Sequence, residues 1–326
     1  MSLPVPLYGF VIEQEKRKTK KGDRFFWQVT IKTVVGNVKC FMWNAGADAE
    51  TDPIFPHTKD IIEVTGFEDQ LAERGTIIIN TFRRMTKEEL PDSALEIMDF
   101  DKASDEDIKW ALGLITDNSF WVDKKHHKFV AACLKSLDSE KLRACPAATH
   151  VHHQYHGGLL VHTAEVLELA RAVADTCYQR YPFINKDVIY ASAILHDIGK
   201  VETYSISEVG VAESLTTEKI IGHLFYGMAL VQRVGDETGA DKNFVNEVLH
   251  CIASHHGLPE WGSLKVVQSL EAGILSRVDY ISSRNGIIER VLNDCIKSGQ
   301  PIQDEFRIYS DPYFATTAMK QYVKEG

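Results

Sequence analysis

The chain has 326 residues, 44% of them hydrophobic and 25% charged, which suits one or two globular domains with cores of their own, and we expect two. No run approaches the ~18 apolar residues of a membrane span, the N-terminus carries no signal pattern, and six scattered cysteines without a CxxC pair argue against a zinc ribbon or a disulfide framework. A cytoplasmic protein with reduced thiols and no membrane partner is expected. The net charge of −10 argues against broad nonspecific duplex binding. Residues 1 to 90 hold 13 basic and 13 acidic side chains, so the whole acidic excess falls after residue 90 and marks a boundary there.

Residues 8 to 84 read as short strands, at 8 to 14, 24 to 33, 37 to 43, 60 to 67 and 76 to 84, with Gly22-Asp23 and Gly36-Asn37 as candidate turns. Alternation puts Phe25, Trp27, Val29 and Ile31 on one face. Five strands in some 80 residues predict a small closed β-barrel of the OB type. Lys16, Arg17, Lys18, Lys20 and Lys21 form a basic loop before the strand with Phe26, and Phe41 and Trp43 follow on the next. Such a barrel holds single-stranded nucleic acid by setting charges against phosphates and rings against bases. The competing account is a solvated hairpin tip above ordinary core aromatics.

After Pro91-Asp92 the character turns helical. Ser104 and Asp107 form a capping-box signature ahead of Ile108, Ala111, Leu112 and Ile115, and a second helix covers about 122 to 137. From there to about residue 296 nearly everything carries helical periodicity, so an all-α bundle over 91 to 296 follows, with 297 to 326 as an extension. His57 reads as a loop residue, His150 and His250 as surface or core, and His126-His127 as an exposed helix face.

The run Val188 to Lys200 delivers His196 and Asp197 into an interior at the end of an apolar helix. Burying both is costly without a partner. A core histidine beside an N-cap aspartate would be the ordinary account of that pair alone. Other histidines change it: His162 heads a helix after His152, His153, His156 and Gly157-Gly158, His223 follows Gly222, His255 and His256 end another helix, and Asp279 lies in a further one. Each stands on its own predicted helix, so a bundle could aim them at one cavity. Imidazoles and carboxylates without thiolates suit divalent manganese, iron, cobalt, magnesium or zinc, and a redox-neutral hydrolytic role follows.

The order His162, His196-Asp197, Asp279 resembles the HD-domain phosphohydrolase superfamily. More narrowly, "HHQYHGGLLVHT", "AILHDIGKV", "GHLFYG", "SHHGLPEWGS" and "EAGILSRVD", behind an OB-like domain, are similar to the YhaM-type 3′→5′ exoribonucleases. The likeness spans residue 8 to about 290, and the chain after about 297 aligns with nothing. It implies His162, His196, Asp197 and Asp279 as ligands of one divalent ion, most simply Mn2+, with His223, His255 and His256 serving a second and Asp197 between them. Lys200, one turn beyond His196 if the helix continues, is placed to meet a phosphate oxygen, the rival role being a helix-end lysine on carbonyls. His152, His153 and His156, close in sequence to His162, are expected at the rim, to contact a phosphate or protonate a leaving oxygen. The resemblance is the sole source of the RNA preference and the 3′→5′ polarity with 5′-mononucleotide products. Trp261 could stack on a terminal base or pack in the core.

Two other functions fit the same residues. The site could act on a small nucleotide, with the barrel serving assembly, or the chain could be a non-catalytic nucleic-acid-binding or relaxase-associated module with a structural metal. The sequence leaves homo-oligomerisation open.

Overall fold

The computed structural model describes residues 6–19, 25–33, 36–43, 55–58, 60–68, 76–94, 102–149, 152–206, 212–308 and 311–325. By packing density the chain divides into two compact units. One comprises Met1–Phe100, Leu292–Gln303 and Thr316–Gly326, the other Asp101–Val291 and Asp304–Ala315.

The first unit holds a closed barrel of β1 (Leu7–Lys18), β2 (Phe25–Thr33), β3 (Gly36–Met42), β4 (Ile61–Glu68) and β5 (Ile77–Met85), hydrogen-bonded in the order β1-β2-β3-β5-β4. Only the β3–β5 pairing is parallel. The barrel's interior is the alternating apolar set Val11, Val29, Ile31, Cys40, Ile62, Val64, Ile77 and Ile79, the period-two pattern that the sequence carries. Thr33 pairs with Gly36 and Lys32 with Asn37, so Gly36 and Asn37 open β3 and are not the hairpin turn. Gly22-Asp23 lies outside the described residues.

β1 runs further than expected, because an irregularity between Val11 and Glu13 resets its register and lets it pair as far as Lys18. Lys16, Arg17 and Lys18 are therefore strand residues, not loop residues. Lys20 and Lys21 lie outside the described residues.

In the second unit α1 (Asp105–Thr116) starts at the expected capping box, with Ser104 Oγ accepting from Asp107 N at 3.0 Å and the Asp107 carboxylate accepting from Ser104 N at 3.2 Å. There follow α2 (Lys124–Lys135), α3 (Ser139–Ala144), α4 (Gly158–Tyr178) and α5 (Lys186–Leu195), then a 3-10 turn at Ile198–Glu202. A hairpin of β6 (Tyr204–Ile206) and β7 (Ala212–Ser214) interrupts the helices, a departure from the all-α expectation. Then come α6 (Thr216–Ile220), α7 (His223–Thr238), α8 (Lys242–Ser254) and α9 (Leu270–Ser298). A second hairpin, β8 (Glu305–Ile308) with β9 (Asp311–Phe314), also belongs to this unit, while α10 (Thr317–Glu325) belongs to the first. Among the described residues no helix is long and apolar enough to cross a membrane.

α5 is the axis of this unit. All residues from Asp187 to Leu195 are buried, so α5 is a helix covered on every side, not an amphipathic one, and whatever follows its last turn begins inside the protein. Its N-terminal end is anchored by Asp187, 2% exposed, which accepts from Val122 N at 2.9 Å, Asp123 N at 2.8 Å and His126 Nδ1 at 2.8 Å. His126 also stacks on Phe244 at 3.7 Å. It is thus a tie between helices and not part of an exposed face, because only tertiary packing brings Asp187 and Phe244 to it. Asp187→Ala would strand two backbone donors and an imidazole, and should cost on the order of 3 kcal/mol in urea unfolding; a change below about 1 kcal/mol would show that this anchor is dispensable.

Candidate metal centre

α5 ends at Leu195, with His196 as its C-cap and Asp197 as the next residue, before the 3-10 turn. Asp197 makes no capping hydrogen bond with its side chain, so its carboxylate is free for another role. α4 brings His162, fully buried, and α9 brings Asp279. His162 Nε2 stands 3.2 Å from Asp279 Oδ1, 3.7 Å from Asp197 Oδ2 and 3.3 Å from His196 Nε2, and His196 Nε2 is 3.4 Å from Asp197 Oδ2 and 3.8 Å from Asp279 Oδ1. On the other side of the same carboxylate, Asp197 Oδ1 faces His223 Nε2 at 3.5 Å and His255 Nε2 at 3.6 Å. Asp197 therefore turns one oxygen to each of two sets of donors. His256 joins the second set, and these donors all lie within 4.8 Å of one another.

The hydrogen bonds behind the rings fix their tautomers. His196 Nδ1 lies 2.9 Å from the Ala193 carbonyl and His255 Nδ1 2.8 Å from that of Ile252, and a carbonyl can only accept. His223 Nδ1 donates to Glu218 Oε1 at 2.9 Å. His162 Nδ1 donates to Ser282 Oγ at 2.9 Å, since that hydroxyl gives its own proton to Glu165 Oε2 at 2.6 Å. With the proton on Nδ1 in all four, all four Nε2 lone pairs point at the aspartates. Lone pair facing lone pair in a buried space is repulsive unless a cation lies between. Three atoms make the same point, for Asp197 Oδ1, His223 Nε2 and His256 Nδ1 are buried without any hydrogen-bond partner. The residues present fit divalent ions.

Comparison with known proteins agrees with this geometry. The HD domain family model matches residues 159–284, a span that contains His162, His196, Asp197 and Asp279. The helical unit contains an HD domain. The whole chain is also similar to proteins named 3′-5′ exoribonuclease YhaM. That of Bacillus subtilis (strain 168) is 26% identical over 311 residues, covering 95% of this chain and 94% of the relative. That of Oceanobacillus iheyensis is 28% identical over 288 residues, covering 87% and 86%. That of Listeria monocytogenes serotype 4b (strain CLIP80459) is 28% identical over 283 residues, covering 86% of each chain.

Two features of the HD domain explain how its side chains are held. Gly199 follows the His-Asp pair, and a Cβ there would stand 2.0 Å from the His223 carbonyl oxygen. Only glycine lets the start of α7 approach the 3-10 turn closely enough to present His223 to Asp197. Lys200 is buried, with Nζ 2.5 Å from Asp197 Oδ2. It stands beside the carboxylate through the 3-10 turn, where the sequence placed it on a continuing helix.

His152 and His153, expected at a rim, are buried instead, 9% and 4% exposed. With His162 they form a third group of close donors. His153 Nε2 reaches Glu165 Oε1 at 3.3 Å, and its Nδ1 lies 3.3 Å from His152 Nδ1. His153 takes a left-handed backbone with φ 45°, which folds the segment inward. His156, expected to assist at the phosphate, stands exposed and outside all three groups; its carbonyl accepts from Ala103 N, and it bridges to Lys102. Trp261 is 59% exposed in a 3-10 turn at Pro259–Trp261, so it is not core packing. Glu165, Glu218 and Ser282 carry no motif signal and were missed; their three-residue spacing from His162 (Glu165) and Asp279 (Ser282) was the available clue.

Burial governs the protonation of the centre. It would raise the Asp197 carboxyl, but Lys200 and His196 hold it well below the usual range, and Asp279 is likewise held low against burial by His162 and His196. Burial lowers His152, His162 and His223, and with the neighbouring His255 it brings His256 down to about 3. His196 alone is raised: burial lowers it, yet Asp197 beside it more than compensates. Burial also pushes the thiols of Cys40, Cys133, Cys145 and Cys251 up to about 12, so they are inert core groups.

The four depressed imidazoles stay neutral in the fold while the unfolded chain takes up protons below about pH 6.5. Their contribution to stability is thus present above that pH and lost below it, and His196 opposes them as one group against four. In chelator, the thermal midpoint should fall between pH 7.5 and 5.5; a midpoint that holds or rises would contradict neutral buried rings.

Proposed function

We propose that the chain is a metal-dependent 3′→5′ exoribonuclease, which hydrolyses the phosphodiester bonds of single-stranded RNA, and single-stranded DNA to a lesser extent, to 5′-mononucleotides. The observation that carries the hydrolytic reading is the set of four bare Nε2 atoms around two carboxylates, with Asp197 turned to both sides. The substrate and the polarity rest on the printed names of the similar proteins. The working division is a barrel over 1–90 that binds the strand, a helical body over 91–296 that cuts it, and a C-terminal extension over 297–326. The setting we propose is the cytoplasm.

In this reading His162, His196, Asp197 and Asp279 hold one divalent ion, His223, His255, His256 and Asp197 hold a second, and Mn2+ is our choice for both. Divalent ions supply Lewis acidity, polarising a phosphate and acidifying water. The protein's own groups prepare the place for this. Asp197 and Asp279 bring negative charge that is already ionised, so an ion displaces no protons from them. The neutral imidazoles bring lone pairs without charge. Lys200 fixes the Asp197 carboxylate and adds a permanent positive charge next to it, which grows in value as negative charge develops on a phosphate.

The barrel supports strand binding with an aromatic cluster on its outer face. Phe26 stacks on Trp43 at 4.7 Å and meets Phe41 edge-on at 5.1 Å. Alternation splits the basic residues about this cluster. Arg17 lies opposite Phe26 in the β1–β2 pairing but is ion-paired with Glu15 at 2.7 Å, whereas Lys16 and Lys18 lie opposite Trp27 and Phe25 on the other face, with Nζ 5.3 and 5.2 Å from the Phe25 ring centre. Lys16 and Lys18 therefore serve a different surface from the one that Phe26, Phe41 and Trp43 form.

Single-stranded RNA labelled at its 5′ end, incubated with Mn2+, should shorten stepwise and release 5′-mononucleotides. Intact RNA beside consumed small nucleotides would overturn the nuclease reading in favour of a nucleotide hydrolase. His196→Ala should abolish turnover and lower the thermal midpoint in Mn2+, because an ion held only by the folded state stabilises it; an active, metal-replete variant would refute the ligand set. The double substitution Phe26→Ala with Trp43→Ala should weaken binding of a single-stranded oligonucleotide at least about tenfold in a filter or anisotropy assay, at roughly 1–3 kcal/mol per stacked base, and unchanged binding would remove the aromatic face from the interface.

A further inference from the structure

The imidazole of His162 is completely buried and is useful to a cation only when its proton sits on Nδ1. Its neighbour on that side is a serine hydroxyl, which unlike a carbonyl can either accept or donate. A hydroxyl left to itself could rotate, donate to Nδ1 and leave the proton on Nε2, where it would point at Asp279. The structure supplies what prevents this. Ser282 Oγ is 2.6 Å from Glu165 Oε2, and an ionised carboxylate is an acceptor only. The hydroxyl proton is committed to Glu165, so the oxygen offers His162 only its lone pair at 2.9 Å.

The sequence spacing makes the arrangement economical. Glu165 lies one turn after His162 on α4, and Ser282 lies one turn after Asp279 on α9. The two helices thus face each other through two layers: His162 with Asp279 at 3.2 Å in front, Glu165 with Ser282 at 2.6 Å behind. Glu165 is held in turn by His153, whose Nε2 donates to Oε1 at 3.3 Å. The ring of His153 fits because residue 286 of α9 is glycine; a Cβ there would lie 2.8 Å from His153 Cε1.

We propose that Ser282 and Glu165 are positioning residues that lock His162 in the Nδ1–H tautomer and so keep its Nε2 available to a divalent ion. The proposal rests on the metal-centre reading above. Neither residue touches substrate; both act through His162.

The test uses the full chain in two states. In the metal-free protein at pH 8, long-range 1H–15N spectra of histidine-labelled protein report which nitrogen of His162 is protonated. The wild type should show a single Nδ1–H tautomer. Glu165→Ala, at a side chain 32% exposed and therefore tolerant of truncation, should show both tautomers, and Ser282→Ala should lose the fixed state. Mn2+ affinity by calorimetry should fall roughly 10–100-fold in each, the usual effect of removing a partner behind a ligating histidine, with unchanged KM for RNA and reduced kcat at subsaturating Mn2+. Ser282→Thr, which keeps the hydroxyl, should restore the tautomer.

If the wild type binds no divalent ion, the metal-centre reading fails. If the wild type binds but Glu165→Ala and Ser282→Ala keep the Nδ1–H tautomer and bind Mn2+ within about twofold of it, the positioning proposal fails while the metal centre stands.

Discussion

Four imidazoles sharing one buried space, each with its bare nitrogen turned inward, is the constraint on which the helical unit depends. Their outward nitrogens are all engaged, with Ser282, Ala193, Glu218 and Ile252, so no ring can turn over without losing a buried hydrogen bond. Two carboxylates are drawn in by the same logic. Asp197 and Asp279 would be forced toward their neutral forms by burial alone, and stay ionised because Lys200 and the histidines surround them. The surrounding structure is arranged to keep an electrostatically poor cluster assembled, which is the expected condition of a site that a cation completes.

The fold serves that cluster through depth. α5 is buried on every side, so its C-cap opens into the interior, and the chain leaves it through a 3-10 turn whose glycine lets α7 come close. The remaining ligand candidates arrive on α4, α7, α9 and the end of α8, and His162, His223 and His255 each have a hydroxyl, carboxylate or carbonyl behind the imidazole to set its orientation. The HD domain is in this sense a device for converging helix ends and helix faces from distant parts of the chain on Asp197, which among the described residues addresses both donor sets.

The barrel follows a different logic. Its core is an uninterrupted apolar alternation, and its candidate function lies on the outside, where Phe26, Phe41 and Trp43 are brought together by the β2–β3 register. The same alternation separates basic residues that adjoin one another in sequence: Arg17 goes to the aromatic side and into an ion pair, while Lys16 and Lys18 go to the other. A run of like charges therefore does not make one surface when it lies on a strand.

The sequence by itself determined the five strands, the capping box at Ser104, the helical character after residue 91 and the residues that could form a metal centre, because these depend on periodicity and residue type, which are local. It also carried the order His162, His196-Asp197, Asp279, which is specific in combination. Tertiary structure decided the rest. Whether His126 is surface or tie, whether His152 and His153 sit on a rim or inside while His156 stays out, and which nitrogen of His162 is bare all depend on partners such as Asp187, Phe244, Glu165 and Ser282, most of them more than 60 residues away in the chain. A hydrogen bond needs its donor and acceptor about 3 Å apart, and no pattern in one segment records that distance to another.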